Sequence, residues 1–155
     1  MVRWFDGLYG GLIAGVTSAA FYAVVAVAWL HETTLAGFFA QVAQALPPFH
    51  RAPAEPIVIA LGVVLYFLLA AAFGIVYGAL AQRLPSMWRA PTSVLWGAAY
   101  GLLVWFVLND VLVPVTGAVD VQPIWEGMVG TIVFYGIVLS ELTTLAYRRG
   151  LDAAP

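Results

Sequence analysis

Residues 91–114, PTSVLWGAAYGLLVWFVLNDVLVP, decide the fold class of this chain. The stretch carries no charge before Asp110, and crossing the hydrocarbon core of a bilayer takes about 20 apolar residues of helix. Ser93, Gly97 and Gly101 recur at every fourth position, so they share one face of that helix. Small residues on one face let two membrane helices approach closely. The stretch therefore predicts a membrane helix that packs against another helix.

The composition of the whole chain favours a membrane protein. Of the 155 residues, 63% are hydrophobic and 9% are charged, whereas soluble domains have roughly 25% charged residues. The net charge is −2 and there is no basic run, so we expect no nucleic acid partner. The chain contains no cysteine, which excludes disulfides, thiolate metal sites and cysteine catalysis. We expect a single domain, residues 1–155, that is embedded in the lipid bilayer.

The apolar residues group into spans that are each long enough for a membrane helix. The spans cover residues 8–30, 57–80, 94–113 and 124–146. All nine prolines lie outside them, as expected where lipid cannot replace a lost backbone hydrogen bond. Spans one and three each contain a GxxxG pattern, and spans two and four each begin at the isoleucine of a Pro-Ile pair. The predicted fold class is therefore all-α, a polytopic membrane protein with four transmembrane helices arranged as two repeated hairpins.

The loop after the first span predicts a further helix. Apolar residues repeat at helical spacing after Thr33 and Thr34, which indicates a short amphipathic helix at about residues 34–46. Such a helix lies either on the outer membrane surface or over the mouth of the bundle. The arginines set the orientation. All of them except Arg51 lie on the side of the four-span arrangement opposite the loop that contains this predicted helix. The positive-inside rule then places both termini in the cytoplasm.

Every span also carries small residues at intervals of four. The predicted helix-packing residues are Gly7, Gly11, Gly15, Gly74, Gly78, Gly97, Gly101, Gly136 and Ser140. In the orientation above, they all fall in the cytoplasmic half, so we expect the helices to pack closely there and to stand wider apart toward the outside. The alternative is that glycine and alanine are simply frequent in membrane helices.

Few polar residues interrupt the spans, and these are the candidate intramembrane polar site. Glu141 lies deepest, inside an apolar run, where a carboxylate is costly and needs a partner. It could relay protons or bind a cation, but we favour a structural glutamate tied to Thr143 or Gln82. Three further candidates lie near the outer ends of spans three and four: Asn109, Asp110 and Glu126.

The sequence contains few residues that could bind a cofactor or catalyse a reaction. The outer carboxylates could hold a divalent cation with His31 or His50 only if the loops bring them together, and no metal-ligand spacing is present. Both histidines fall outside the spans, which excludes a bis-histidine haem within the bundle. No serine lies within evident reach of a base. We therefore predict no cofactor, no metal and no enzymatic activity.

The run WGAAYGLLVWFVLNDVLVPVTG, with the repeated hairpins and the arginine-ended spans, resembles small four-helix bacterial inner-membrane proteins of the YagU-like family. The resemblance implies a location in the inner membrane and supplies no activity. Our leading hypothesis is an accessory or assembly subunit that contacts other membrane subunits or itself through its helices. The alternative is a small-solute or ion transporter or channel with an outward-facing vestibule and an intramembrane glutamate. A third hypothesis is a lipid- or quinone-binding protein that uses the wider outer half.

Overall fold

The computed structural model describes residues 4–29, 34–49, 52–87, 91–112 and 124–152, and the regular secondary structure of these residues is entirely helical. The α-helices are α1 (Trp4–Tyr22), α2 (Leu35–Gln44), α3 (Pro56–Arg83), α4 (Thr92–Phe106), α5 (Ile124–Val129) and α6 (Val138–Asp152). Wider, π-helical turns continue α1 (Ala23–Trp29) and α4 (Val107–Leu112) and join α5 to α6 (Gly130–Ile137). Short 3-10 turns follow α2 (Pro47–Phe49) and α3 (Pro85–Met87).

Four segments are long and apolar enough to cross a membrane, as predicted. We call them spans 1 to 4: Phe5–Val25, Pro56–Arg83, Thr92–Leu112 and Trp125–Arg149. Between 22% and 39% of the most apolar window in each span is buried, so each span also has exposed or partly exposed apolar side chains, which suit a lipid environment. The helices of spans 2 and 4 run past the predicted ends because Arg83 and Arg149 join their last turns. Cations at that position interact favourably with the helix dipole.

Local sequence determines where the helices start. The hydroxyl oxygen of Thr34 accepts a hydrogen bond from the backbone N–H of Gly37 at 3.0 Å, which caps α2. The predicted helix at 34–46 is thus present as Leu35–Gln44, with Thr34 as its cap. Pro56 is the first residue of α3, a position where its missing N–H costs nothing.

The spans form a bundle in which span 1 packs against spans 2 and 4, and span 3 packs against span 4. The backbones of spans 2 and 3 stand apart, and these spans contact each other through side chains such as Tyr77 and Tyr100, whose ring centroids are 5.0 Å apart. Asp6 and Arg149 line one cleft at the end of the bundle where the described chain begins and finishes. We call this the terminal end, and we call the opposite end, where α2 lies, the α2 end.

Glycines join span 1 to span 2 near the terminal end. A methyl group added to Gly11 would lie 2.8 Å from the Cα of Gly74, and one added to Gly7 would overlap the carbonyl oxygen of Gly74 and lie beside the Cα of Gly78. Real side-chain carbons do not come this close to another backbone, so only glycine permits the contact. Gly15, farther along span 1, faces the methyl group of Ala70. All of these residues except Ala70 are predicted packing residues.

Spans 3 and 4 meet in the same way. A methyl group on Gly136 would lie 2.8 Å from the Cα of Gly101, and one on Gly97 would lie 2.6 Å from the Cβ of Ser140. The Ser140 hydroxyl also donates a hydrogen bond to the carbonyl oxygen of Ser93 at 2.6 Å. The two hairpins therefore use similar small-residue contacts, while the duplication of the hairpin stays a prediction.

Candidate functional site

An apolar cavity of about 280 Å³ occupies the α2 half of the bundle. Its wall takes residues from all four spans and from α2, and it reaches from Glu126 at the α2 end to Phe73 and Tyr135 near mid-bundle. The volume is close to the lower end of the roughly 300–1,000 Å³ typical of small-molecule pockets. The helices therefore contact closely through glycine at the terminal end and stand apart around a cavity at the α2 end.

Two tyrosine hydroxyls close the cavity toward the terminal end. The hydroxyl of Tyr135 donates to the carbonyl oxygen of Ala70 at 2.6 Å, and that of Tyr100 donates to the carbonyl oxygen of Phe73 at 2.5 Å. Both bonds reach from spans 4 and 3 to span 2, across the gap that the backbones leave open. Tyr135 thus links span 4 to span 2, and Tyr100 links span 3 to span 2.

Helix α2 covers the other end of the cavity. It packs so tightly on span 2 that a side-chain carbon on Gly62 would overlap the carbonyl oxygen of Phe39. The ring of Phe38 lies 4.3 Å from that of Tyr22 and 5.8 Å from that of Tyr66, measured between centroids. Helix α2 thus packs on span 2 and shares the cavity wall with residues of all four spans.

Glu126 is the charged group of the described cavity wall. It lies in the first turn of α5, and only 1% of its surface is exposed. Burial of a carboxylate is costly in an apolar environment, so such a residue marks a functional site by default. The sequence singled out Glu126 as a candidate but ranked it below Glu141, because its position near a span end suggested contact with water.

Glu141 lies elsewhere and in a different environment. It is exposed on the outside of α6, and its Oε1 accepts a hydrogen bond from the Ser93 hydroxyl at 3.1 Å. Glu141 thus has the polar partner that its place in an apolar run requires, although the side chain is exposed and the partner shown is Ser93. Thr143, one of the partners we had proposed for it, donates instead to the carbonyl oxygen of Leu139 at 2.8 Å. Glu141 is not part of the cavity wall.

Asn109 and Asp110, the other two candidates from the sequence, lie in different environments. Asn109 lines the cavity and donates from Nδ2 to the carbonyl oxygen of Trp105 at 2.9 Å. Asp110, the next residue, is exposed. His31 and His50, the imidazoles of the possible cation site, lie outside the described residues. Within the described ranges, no cluster of three or more His, Cys, Asp or Glu side chains is placed to hold a metal ion.

Several polar residues of the cavity were not anticipated from the sequence. Ser18, Tyr66 and Thr131 line it, and each hydroxyl donates to a backbone carbonyl: those of Gly130 at 3.3 Å, Gly15 at 3.0 Å and Gly127 at 2.5 Å. Gln41 of α2 also lines it, with a buried Oε1 that accepts no hydrogen bond from the described residues. Gln41 follows Phe38 by three positions, so the two residues lie on the same face of α2. This spacing is the one feature of the sequence that could have indicated a place for Gln41 in the cavity wall.

The fold and the cavity thus define a small four-span helical bundle with a covered apolar pocket in one half. No protein-family model, curated protein or solved structure matches this chain. The YagU-like resemblance stays a prediction.

Proposed function

We propose that this protein is an integral membrane protein that binds a small apolar or amphiphilic molecule in the cavity beneath α2. The observation that carries the proposal is the apolar cavity itself, lined by α2 and by four membrane-length helices. The proposal corresponds to the lipid- or quinone-binding hypothesis, with the position of the site now specified.

The topology supports uptake of the ligand from the lipid. Leu65 and Leu69 of span 2 and Leu108 and Leu112 of span 3 line the cavity on the side where the backbones of these spans stand apart. Helix α2 packs against span 2 at Gly62 and contributes Phe38 and Gln41 to the cavity wall at the α2 end. We infer that the ligand enters between spans 2 and 3, where lipid acyl chains lie.

We place the cavity in the outer half of the bacterial inner membrane. Arg83, Arg148 and Arg149 all lie at the terminal end, the end opposite α2. The positive-inside rule puts that end in the cytoplasm, together with both termini. The ligand would then be held in the outer leaflet.

The two other functions predicted from sequence gain no specific support. An accessory subunit needs apolar side chains on its surface, but lipid needs them equally, so exposed residues such as Leu95 and Leu103 suit both. A transporter needs a path to the opposite face. Here the terminal half is closed by glycine contacts and by Tyr100 and Tyr135, so these would have to separate. Both functions stay predictions.

Photolabelling tests the proposed binding. The protein would be reconstituted in nanodiscs and irradiated with a neutral aryl diazirine, with and without an excess of an unlabelled neutral analogue. We expect competed labelling at cavity residues and uncompeted labelling on the lipid-facing surface, which serves as an internal control. Labelling that no excess of analogue reduces at any residue would contradict the proposal.

Matched tryptophan variants locate the labelled site. Leu108→Trp places a large ring in the cavity, whereas Leu103→Trp adds the same ring on the exposed face of the same span. We expect competed labelling to disappear in the first variant and to persist in the second. Equal labelling in both variants would place the binding site elsewhere.

A further inference from the structure

We propose that the ligand of the cavity is a lipid-soluble alcohol or phenol, an apolar body that carries a hydroxyl group, and that the side-chain amide of Gln41 binds this hydroxyl. This inference rests on the proposed function, because it names the class of molecule that the cavity binds. It follows from the hydrogen-bonding groups of the cavity wall and from the rings beside Gln41.

Gln41 places a polar atom without a partner in the cavity wall. Its Oε1 is buried and accepts no hydrogen bond from the described residues. A buried acceptor of this kind is unfavourable, because it has lost its hydrogen bonds to water and gained none in return. A ligand that donates a hydrogen bond to this oxygen would remove that cost.

Other polar groups of the wall already use their donors on the protein. The lining residues whose hydroxyl or amide group donates to a backbone carbonyl oxygen are Ser18, Tyr66, Asn109, Thr131 and Tyr135. The oxygen atoms of these groups can still accept a hydrogen bond. These groups therefore favour a ligand that donates.

A hydroxyl group matches the Gln41 amide better than a carbonyl or an ether does. It can donate to Oε1 or accept from Nε2, whereas a carbonyl or ether oxygen can only accept. A ligand that only accepts would leave the buried Oε1 without a partner. An anionic head group has a further disadvantage, since no arginine, lysine or histidine lies among the described lining residues to balance its charge.

Aromatic side chains near Gln41 suit the apolar body of such a ligand. Gln41 lies about one helical turn after Phe38, whose ring is 4.3 Å from that of Tyr22 and 5.8 Å from that of Tyr66, measured between centroids. All four residues line the cavity. Aromatic rings bury a large apolar area and favour further rings at their faces and edges. We therefore expect the ring or chain of the ligand to pack on this cluster while its hydroxyl group contacts Gln41.

The test compares para-propylphenol with its methyl ether, which has a similar shape but no hydrogen-bond donor. Each compound competes with the neutral aryl diazirine for the cavity of the nanodisc-embedded protein, in the wild type and in Gln41→Met. The readout is the ratio of the two competing concentrations, so differences in lipid partitioning and in diazirine affinity cancel between the proteins. Gln44→Met is the matched control, because Gln44 lies on the same helix outside the cavity wall and donates from Nε2 to the carbonyl oxygen of Ala52 at 3.0 Å.

We expect Gln41→Met to raise the competing concentration of the phenol about threefold to tenfold relative to that of the ether, the range that one hydrogen bond between neutral groups accounts for. Gln44→Met should leave the ratio unchanged. A ratio that Gln41→Met does not change, or that Gln44→Met changes as much, would overturn the assignment to Gln41.

A second measurement uses the wild type alone, so it does not depend on the folding of a variant. A phenol with a diazirine next to its hydroxyl should label α2 more strongly than the corresponding methyl ether does. Equal labelling of α2 by the two probes would contradict the contact between the hydroxyl and Gln41. Competition by both unlabelled compounds in the wild type would then still support an apolar site, whereas the absence of any competed labelling there would remove the proposed function itself.

Discussion

Gly62 of α3 lies against the backbone of Phe39 in α2, so closely that a side-chain carbon on residue 62 would overlap the Phe39 carbonyl oxygen. This contact holds the cover of the cavity in place. We therefore expect Gly62→Leu to displace α2 and to expose the aromatic cluster beneath it. Ala60→Leu, which adds the same bulk on an exposed face of the same helix, should not displace it.

The chain's lack of cysteine makes this displacement measurable, because a single Ala43→Cys on the buried face of α2 can report accessibility to a thiol reagent. Labelling should be slow in the otherwise native protein and in the Ala60→Leu background. It should be fast in the Gly62→Leu background. Equal rates in all three backgrounds would show that α2 is not held through Gly62.

The contact between spans 1 and 2 predicts a large effect of bulk at Gly74. A side chain there would overlap the backbone of Gly11, and overpacking of this kind costs about 1–3 kcal/mol. We expect Gly74→Leu to lower the thermal unfolding temperature of the detergent-solubilised protein. Ala72→Leu, two residues away on the exposed face of α3, is the control and should leave it nearly unchanged. If both variants unfolded at the native temperature, these spans would not pack through this face.

The hydroxyl of Tyr135 predicts a smaller effect. Tyr135→Phe removes the hydrogen bond to the Ala70 carbonyl, and one such bond contributes about 0.5–1.5 kcal/mol. We expect a loss of stability in this range, measured by unfolding in a series of denaturing detergent mixtures. Tyr9→Phe removes a hydroxyl from a residue that is 64% exposed and should cost nothing measurable. A loss equal to that of Tyr9→Phe would mean that the Tyr135 bond does not hold span 4 to span 2.

Glu141 should tolerate neutralisation, although the sequence marks it as the deepest carboxylate. It is exposed, and the amide oxygen of a glutamine can still accept from the Ser93 hydroxyl. We expect Glu141→Gln to change the free energy of unfolding by less than about 0.5 kcal/mol, as is usual for surface substitutions. A loss of several times this size would show that the carboxylate has a structural role that the Ser93 contact does not explain.

The orientation is open to a cysteine test. Ala54→Cys lies in an exposed position at the α2 end, and Ser86→Cys lies in an exposed position at the terminal end. A membrane-impermeant maleimide applied to intact spheroplasts should label the first variant and should label the second only after lysis. The reverse pattern would place the cavity in the inner leaflet and contradict the assignment from arginine.

Much of the architecture was predictable because membrane helices must satisfy their own backbone hydrogen bonds. Lipid offers no substitute partner, so the apolar length between prolines marks each helix to within a few residues. The cap of α2 at Thr34 is equally local, since it depends on one side chain and the next turn. The π-helical turns at Gly130–Ile137 were not predictable, because they depend on how neighbouring helices pack.

The ranking of the two glutamates shows the limit of sequence reasoning. Depth along a span suggested that Glu141 is the buried carboxylate and that Glu126 is close to water. The structure shows the reverse, because Glu126 is buried in the cavity wall whereas Glu141 is exposed on α6. Depth along a helix is a property of the sequence, but the direction of a side chain relative to its neighbours is not.

The sequence alone thus determined the helical class, the number of long apolar spans and the small residues available for close contact, since these follow from local composition and helical period. Only the tertiary structure decided that the backbones of spans 2 and 3 stand apart, that α2 packs on span 2, and that Glu126 lies in the resulting cavity. Each of these features requires contacts between residues far apart in the chain, such as Phe39 with Gly62 and Tyr135 with Ala70, and no local pattern specifies them.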